Sequence, residues 1–266
     1  MLPKLFVVVP VLNEVLNMPR LLGDLKKLST AVSGEFGVQV LLIDDGSQDG
    51  TSESAQKLAE NLPLSVISHS QTRGPGAAFA TAFAALAPQL QESDWVVTME
   101  GDNTSRIETL SQMLVRRREG FGVVLASPYA YGGGITNTSF LRVFLSHIAN
   151  TLVKEFLGIR GILTMSSFFR LLSAPTILKL QRAYGPGILD STGFECMVEL
   201  LSKLIRQGAK ISEVAMNVDT SRRQGKSKMR IWRTILGYLR LIFLAPKWAK
   251  DPELLPAARP IEKLEP

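Results

Sequence analysis

Five short apolar runs, Leu5–Val9, Val38–Ile43, Leu64–Ser68, Trp95–Met99 and Val123–Ala126, alternate with helical stretches near residues 14–32, 51–61, 76–89 and 105–119. Strand-like runs separated by helices give the β-α-β-α order of a mostly parallel sheet flanked by helices on both faces. The chain has 266 residues, 45% hydrophobic and 20% charged, enough to bury a full core as one large domain or two small ones. Neither an internal repeat nor a low-complexity tract interrupts the pattern. The single cysteine, Cys196, excludes a disulfide framework and fits a reducing compartment. It lies in an apolar helical pattern and reads as a small core residue.

After Tyr131 the rhythm changes. Gly132-Gly133-Gly134 reads as a mobile loop. A long helix near 138–158, a short run Ser167–Leu172, a helix near 193–207 and a strand Lys210–Met216 follow. A basic and apolar element over about 229–245 leads into the tail 247–266, whose four prolines predict an extended or loosely packed end.

Charge is unevenly placed. Residues 222–250 hold nine Lys and Arg and no Asp or Glu, while the other 237 residues carry 21 bases against 24 acids. A basic block on a mildly acidic body points to an anionic partner, a lipid headgroup surface or a phosphorylated substrate in preference to nucleic acid. Nucleic-acid modules interleave exposed aromatics with their bases, and this block does not. No apolar run reaches the roughly 18–20 residues of a membrane span. On a helix, Arg230, Arg233, Gly237 and Arg240 share one narrow face, and Trp232, Ile235, Leu236, Leu239, Ile242 and Phe243 cover the rest. That suits a helix lying in a membrane interface, although a core helix with a charged edge has the same pattern. The start of the chain lacks the basic lead, apolar stretch and cleavage site of a signal peptide. The expectation is a cytoplasmic protein, peripheral on the cytosolic face of a membrane or resting on a membrane-protein partner.

Candidate chemistry gathers where strands end. Val38–Ile43 passes directly into Asp44-Asp45-Gly46-Ser47-Gln48-Asp49-Gly50-Thr51. Ligands of open α/β sheets bind at such carboxyl ends, where a carboxylate can accept from a nucleobase N–H or a ribose hydroxyl. Ser47 or Thr51 can cap the following helix, and turn chemistry alone accounts for Asp44 and Asp49 equally well. Pro10 is expected to stop the first strand, with Asn13 and Glu14 opening a helix. Strand Trp95–Met99 ends in Glu100-Gly101-Asp102-Asn103. Two carboxylates one residue apart can bind one hard cation, Mg²⁺ or Mn²⁺, whose remaining ligands would be water and a substrate diphosphate. Arg73-Gly74-Pro75-Gly76 before a small-residue helix reads either as a phosphate-meeting helix start or as a tight helix entry. Arg222-Arg223-Gln224-Gly225-Lys226-Ser227-Lys228 joins guanidinium groups suited to phosphate with a flexible glycine. His69 and His147 have no metal or triad spacing and read as structural.

Taken together, Val9-Pro10-Val11-Leu12-Asn13-Glu14, Ile43 to Thr51, Arg73-Gly74, Glu100-Gly101-Asp102, Phe169-Arg170-Leu171, Gly193-Phe194-Glu195, Glu213-Val214 and Arg222-x-x-Gly225-x-Ser227-Lys228 resemble the family 2 glycosyltransferases of GT-A fold, in their dolichol or polyprenol phosphate mannose synthase-like branch. The resemblance runs over roughly residues 4–245. It implies that Pro10, Asn13, Glu14, Asp44, Asp45, Arg73, Gly74, Glu100 and Gly101 bind a nucleotide-sugar. Glu100 and Asp102 would hold Mg²⁺ or Mn²⁺. Arg222, Ser227 and Lys228 would face the acceptor phosphate, with Asp102, Arg222 and Lys228 as the catalytic set. The implied organisation is a GT-A unit over 1–228, its nucleotide-binding half to about 130 and its acceptor half from about 131. An amphipathic membrane-interface helix over 229–246 and the tail complete it.

The implied reaction moves a sugar from GDP-mannose or a UDP-hexose to a polyprenyl or dolichyl phosphate with inversion. Three positions depart from the family pattern. The metal motif reads Glu100, Asp102, Thr104 where Asp, Asp and Gln are usual, Pro128 precedes Tyr129 where Arg is usual, and Thr164 stands where Asp is usual. Two other readings stay open. One is a GT-A transferase with a soluble hydroxyl acceptor, for which Asp190 or Glu195 would be the general base. The other is an idle sugar-nucleotide-binding protein.

Overall fold

The computed structural model describes residues 2–185, 188–225, 228 and 231–244. Among the described residues nine strands form: β1 Lys4–Val11, β2 Gly37–Asp44, β3 Leu64–Ser68, β4 Trp95–Thr98, β5 Val123–Ser127, β6 Gly134–Thr136, β7 Arg170–Ser173, β8 Ile211–Ala215 and β9 Asn217–Asp219. Eight α-helices accompany them among the described residues: α1 Met18–Ala31, α2 Thr51–Ala59, α3 Pro75–Leu86, α4 Thr109–Arg118, α5 Phe140–Leu157, α6 Ala174–Tyr184, α7 Cys196–Arg206 and α8 Ile231–Leu244. Seven strands make one sheet in the order β3-β2-β1-β4-β7-β5-β8, and β6 pairs with β9 in a second. Only β7 runs antiparallel to its neighbours, so β1, β2, β4 and β5 all end at the same edge.

The apolar runs are continuous because both faces of the sheet are covered. Along β1, Phe6 and Val8 enter the core built with α3 and α7. Leu5, Val7, Val9 and Val11 enter the opposite core, built with α1, α2 and α4. Cys196 is buried in the first of these cores, as its apolar surroundings predict.

The structure corrects several local expectations. Pro10 does not stop β1, which runs on to Val11. In a parallel strand the N–H and C=O of one residue point the same way. Val8 O accepts from Met99 N on the β4 side, and Val11 O accepts from Asp45 N on the β2 side. Pro10 shares the phase of Val8, but β4 pairs only as far as Val8, so its missing N–H costs no ladder bond. The glycine triplet 132–134 is not a free loop. Gly134 opens β6 and donates to Met216 O at 3.1 Å, and a Cβ on Gly133 would lie 2.7 Å from Ser127 O. Helix α6 has no counterpart among the sequence expectations. Helix α8 turns Thr234, Gly237, Tyr238 and Leu241 toward the body, with Gly237 pressed on the Glu195 side chain, and leaves Leu236, Leu239 and Arg240 exposed. Gly237 therefore does not serve a headgroup-facing strip; its lack of a side chain lets the helix approach Glu195. Ser227, Arg230 and the tail 247–266 lie outside the described residues. Among the described residues no helix is long and apolar enough to cross a membrane.

Two glycines test this packing in opposite directions. A Cβ on Gly76 would meet Ser191 O at 2.0 Å, whereas one on Gly23 in α1 meets nothing within 4 Å. Gly76→Ala is expected to destabilise the fold by about 1–3 kcal/mol and Gly23→Ala to stabilise it by about 0.5–1 kcal/mol, both read from urea midpoints.

Candidate active site

The ends of β1 and β2 are sewn together by short polar side chains. Asp44, buried, accepts from Ser47 N at 2.8 Å and from the Ser52 hydroxyl. Ser47 and Thr51 do not cap α2, whose N-cap is Gly50 with φ +83°. Their hydroxyls instead accept from Asn13 N at 2.8 Å and Glu14 N at 2.9 Å. Asp49 accepts from Val15 N at 3.1 Å. Asn13 adopts φ +50°, a conformation asparagine tolerates, and its Oδ1 accepts from Gln48 N at 2.9 Å. The segment after β1 is thereby fixed on the turn after β2.

Asp45 does a different job. Its carboxylate is 4% exposed. Oδ1 accepts from Arg73 N at 2.9 Å, and Oδ2 from Gly74 N at 2.7 Å. His69 Nδ1 lies 2.7 Å from Oδ1, and His69 Nε2 lies 2.9 Å from Thr81 Oγ1 of α3. Asp45 is the anchor of the Arg73–Gly74 loop, and His69, read from sequence as merely structural, orients that anchor. Gly74 has φ +99°, and a Cβ there would meet Thr192 O at 2.4 Å. Gly76 N donates to the same oxygen at 2.8 Å. The Arg73 side chain stays exposed.

The turn after β4 brings Glu100 and Asp102 together. Glu100 Oε2 accepts from Ser105 at 2.7 Å, and Asp102 Oδ1 from Thr104 N at 3.0 Å and Thr104 Oγ1 at 2.7 Å. Burial first, then the Asp102 carboxylate, pushes the Glu100 carboxyl up to about 7. Gly101 admits no side chain, since a Cβ would meet Val11 Cγ1 at 2.7 Å. Two carboxylates crowded at one turn fit a hard divalent cation, with water and substrate oxygens as its other ligands. Among the described residues no cluster of three or more His, Cys, Asp or Glu side chains offers a fuller protein cage.

A basic strap crosses this edge. Asp219 at the end of β9 accepts from Asn137 Nδ2 at 2.7 Å and caps the 3₁₀ turn Thr220–Arg222 through Ser221 N. Arg222 and Arg223 then part. The Arg222 guanidinium, expected from the resemblance to face an acceptor phosphate, lies 3.4 Å from Asp24 of α1. Arg223, which that expectation passed over, donates from Nε to Asp102 Oδ2 at 2.7 Å and engages the same oxygen through Nη2. Gln224 is gripped by the buried Asn17 side chain, whose Nδ2 donates to Gln224 O at 2.9 Å and whose Oδ1 accepts from Gln224 N at 3.0 Å. Asn103, at φ +64°, holds Asn17 O from the β4 turn at 3.0 Å. Lys228 donates to Asn13 O at 2.8 Å and pairs with Glu14, whose carboxyl burial pushes up against the pull of that lysine.

Most of the expected residues therefore meet at one edge: Asn13, Glu14, Asp44, Asp45, Gly74, Glu100, Gly101, Asp102 and Lys228. Pro10 sits one residue inside it, the Arg222 guanidinium lies against Asp24 of α1, and Ser227 is outside the described residues. Sequence reasoning missed Asn17, His69, Asn103 and Arg223. The asparagines follow Asn13-Glu14 and Asp102 within a few residues, so polar groups crowded beside each motif were the available signal.

Residues 6–175 match the family model described as Glycosyl transferase family 2. The chain is 28% identical over 236 residues to polyprenol monophosphomannose synthase of Mycolicibacterium smegmatis, covering 85% of this chain and 81% of that protein. It is also 28% identical over 248 residues to dolichol-phosphate mannosyltransferase of Pyrococcus furiosus, covering 92% of this chain and 64% of that one, so it spans under two thirds of that relative's length. Glucosyl-3-phosphoglycerate synthase from Mycobacterium tuberculosis, crystallised with Mn²⁺, UDP-glucose and phosphoglyceric acid, shares the fold. The TM-score is 0.64 at 17% identity, over 92% of this chain and 78% of that one. The expected α/β GT-A architecture is thereby borne out.

The raised Glu100 carboxyl gives a pH signature. Its folded-state pKa of about 7 lies above the ordinary 4.5, so the folded chain holds that proton where the unfolded chain has lost it. Its contribution is neutral below about pH 4.5, turns destabilising as pH rises to about 7 and is constant above. Glu100→Gln is expected to gain stability over the wild type as pH rises from 5 to 8, read as a widening gap in urea midpoints; a constant gap would refute the assignment.

Proposed function

We propose, for a chain that belongs to glycosyl transferase family 2, that it transfers a sugar from a nucleotide-sugar to a polyprenyl phosphate with inversion. One observation carries this reading: a cation-rich strap is paired, side chain to side chain, with the carboxylates at the strand ends. Arg223 sits on Asp102 and Lys228 on Glu14. A donor diphosphate and an acceptor phosphate would take up the same cations, and Glu100 and Asp102 would hold Mg²⁺ or Mn²⁺. That ion would supply Lewis-acid polarisation of the diphosphate. The names of the two mannosyl-transferring relatives support the acceptor class.

The chain's own residues account for the rest. Asp44 and the Asn13–Glu14 segment line the nucleoside side. Asp45 presents the Arg73–Gly74 loop to phosphate, with the exposed Arg73 free to reach a diphosphate oxygen. A phosphate monoester has its second pKa at about 6 and is largely a dianion at neutral pH, so it attacks without a general base. An acceptor oxygen bonds to the anomeric carbon as the carbon–oxygen bond to the leaving nucleoside diphosphate breaks. Arg223 and Lys228 neutralise the charge that shifts onto the leaving group. A hydroxyl acceptor would instead need a base such as Asp190, which pairs with Lys203 at 3.0 Å, or Glu195, which accepts from Gly193 N at 3.2 Å.

The transferase unit would extend over 1–228 and rest peripherally on the cytosolic membrane face, directly or through a membrane-protein partner. Ile148, Leu152 and Phe156 recur every fourth residue on α5 and are exposed, as are Leu236 and Leu239 on α8, which packs against α5. Such an apolar surface beside arginine suits a lipid headgroup boundary.

The test incubates purified protein with Mn²⁺ or Mg²⁺, a polyprenyl phosphate and labelled GDP-mannose or UDP-glucose. Label is expected in the organic phase from one donor, abolished by EDTA and reduced about 100-fold or more in Asp102→Ala. Organic label from neither donor, with a water-soluble glycoside in its place, would overturn the acceptor assignment in favour of a soluble hydroxyl.

A further inference from the structure

Away from the strand ends, α7 buries an ion pair that the transfer chemistry does not use. Glu199 is 0% and Lys203 1% exposed, four residues apart on the face turned to the 188–192 loop. Lys203 Nζ lies 2.6 Å from Glu199 Oε1, donates to Ile188 O at 2.7 Å and reaches Asp190 Oδ2 at 3.0 Å, with the Tyr184 ring 4.9 Å away. Glu199 accepts from Asp190 N at 2.7 Å and Ser191 N at 2.8 Å, one on each oxygen. The pair thus binds backbone on both sides of Asp190 and also its side chain.

A buried charge pair costs desolvation and is weak evidence for stability. What this one does is hold a loop in a single place. That loop is the surface against which the Arg73–Gly76 turn closes. Gly76 N donates to Thr192 O at 2.8 Å, and the backbone of 191–192 fills the space where side chains on Gly74 or Gly76 would go. On its far side the same turn hangs on Asp45. A continuous path of hydrogen bonds therefore runs from α7 through the 188–192 loop to the turn beside the β2 carboxylates.

We propose that Glu199 and Lys203 are positioning residues for transfer: they fix the 188–192 loop, with its Asp190 carboxylate, at one separation from the Arg73–Gly76 turn. The inference rests on the transfer reaction proposed above, and the first readout does not need that reaction. Each member alone would leave the other buried and unpaired, so the test uses the double variant Glu199→Gln/Lys203→Met, which keeps volume and removes both charges.

Amide hydrogen exchange is measured first on the full chain. Protection at Asp190, Ser191 and Gly76 is expected to fall about tenfold or more, while Arg73 and Gly74, held by Asp45, keep theirs. Transfer follows, in the same assay as the wild type, with binding of GDP and UDP in Mn²⁺. The double variant is expected to bind nucleotide within about twofold of wild type and to lose about tenfold or more in kcat. Lys203→Arg, which keeps a cation in reach of Ile188 O and Asp190, is expected within about threefold of wild type. Unchanged exchange at Gly76 would overturn the inference. So would a kcat within twofold of wild type, or a loss of nucleotide binding and kcat together in proportion to the unfolded fraction. Wild-type protein that transfers no sugar would remove the reaction while leaving the exchange result to judge the positioning.

Discussion

The Asp45 carboxylate, closed off from water at the end of β2, takes hydrogen bonds from two successive backbone amides and sits against an imidazole. An ionised acceptor in that setting must be satisfied, because a lost partner would leave a buried charge without compensation. The two amides belong to residues 28 and 29 positions further along, so satisfying Asp45 fixes where the chain after β3 turns into α3. That turn is then constrained from the other side. Gly74 and Gly76 lie so close to the 191–192 backbone that only hydrogen fits. Half of the site edge is therefore held by one carboxylate, two glycines and a histidine that ties the carboxylate to α3 through Thr81.

How much of this the sequence discloses follows from distance along the chain. The five strands of the first half are legible because burial on both faces makes their apolar runs continuous, and their ends carry acids that a core would not accept. Strand β7 is also visible as a run, but its antiparallel placement between β4 and β5 is a tertiary fact with no local mark. Helix α6 is short, and its buried Ile177 and Leu180 give only one helical repeat to read. The glycine triplet misleads because close backbone approach and flexibility demand the same residue; Gly133 is there for the first reason. His69 shows no spacing signal because its partners are 24 and 12 residues away.

The two arginines at 222 and 223 illustrate the limit most sharply. A motif read as a string names the first of them. The backbone sends the two apart: Arg222 closes a 3₁₀ turn, whereas Arg223 is extended, at φ −69° and ψ 129°. Neighbouring side chains at such a junction diverge, one toward Asp24 and the other into the acidic pair. Which residue reaches a site is settled by the last dihedral angles before it, and composition and spacing carry no record of those. The strap is held by Asn17, whose side-chain amide pairs with the Gln224 backbone much as a neighbouring strand would.

The distribution of charge in the sequence acquires its meaning from that strap. Nine bases without an acid over residues 222–250 look like a surface tract, yet Arg223 and Lys228 reach back over 121 and 214 residues to Asp102 and Glu14. Burial at the strand edge, and after it the neighbouring Asp102 carboxylate, holds the Glu100 proton to about 7. The strap supplies the missing positive charge. A phosphate-bearing substrate arriving with a divalent cation would bring the same two signs in the opposite partnership, its phosphates for the strap and its cation for the carboxylates. Either partnership gives Asp102, Glu14, Arg223 and Lys228 an opposite charge, so the exchange would leave none of those four stranded in a poorly hydrated site. On the proposed reaction, that symmetry accounts for Arg223 and Lys228 lying at the mouth of the sheet.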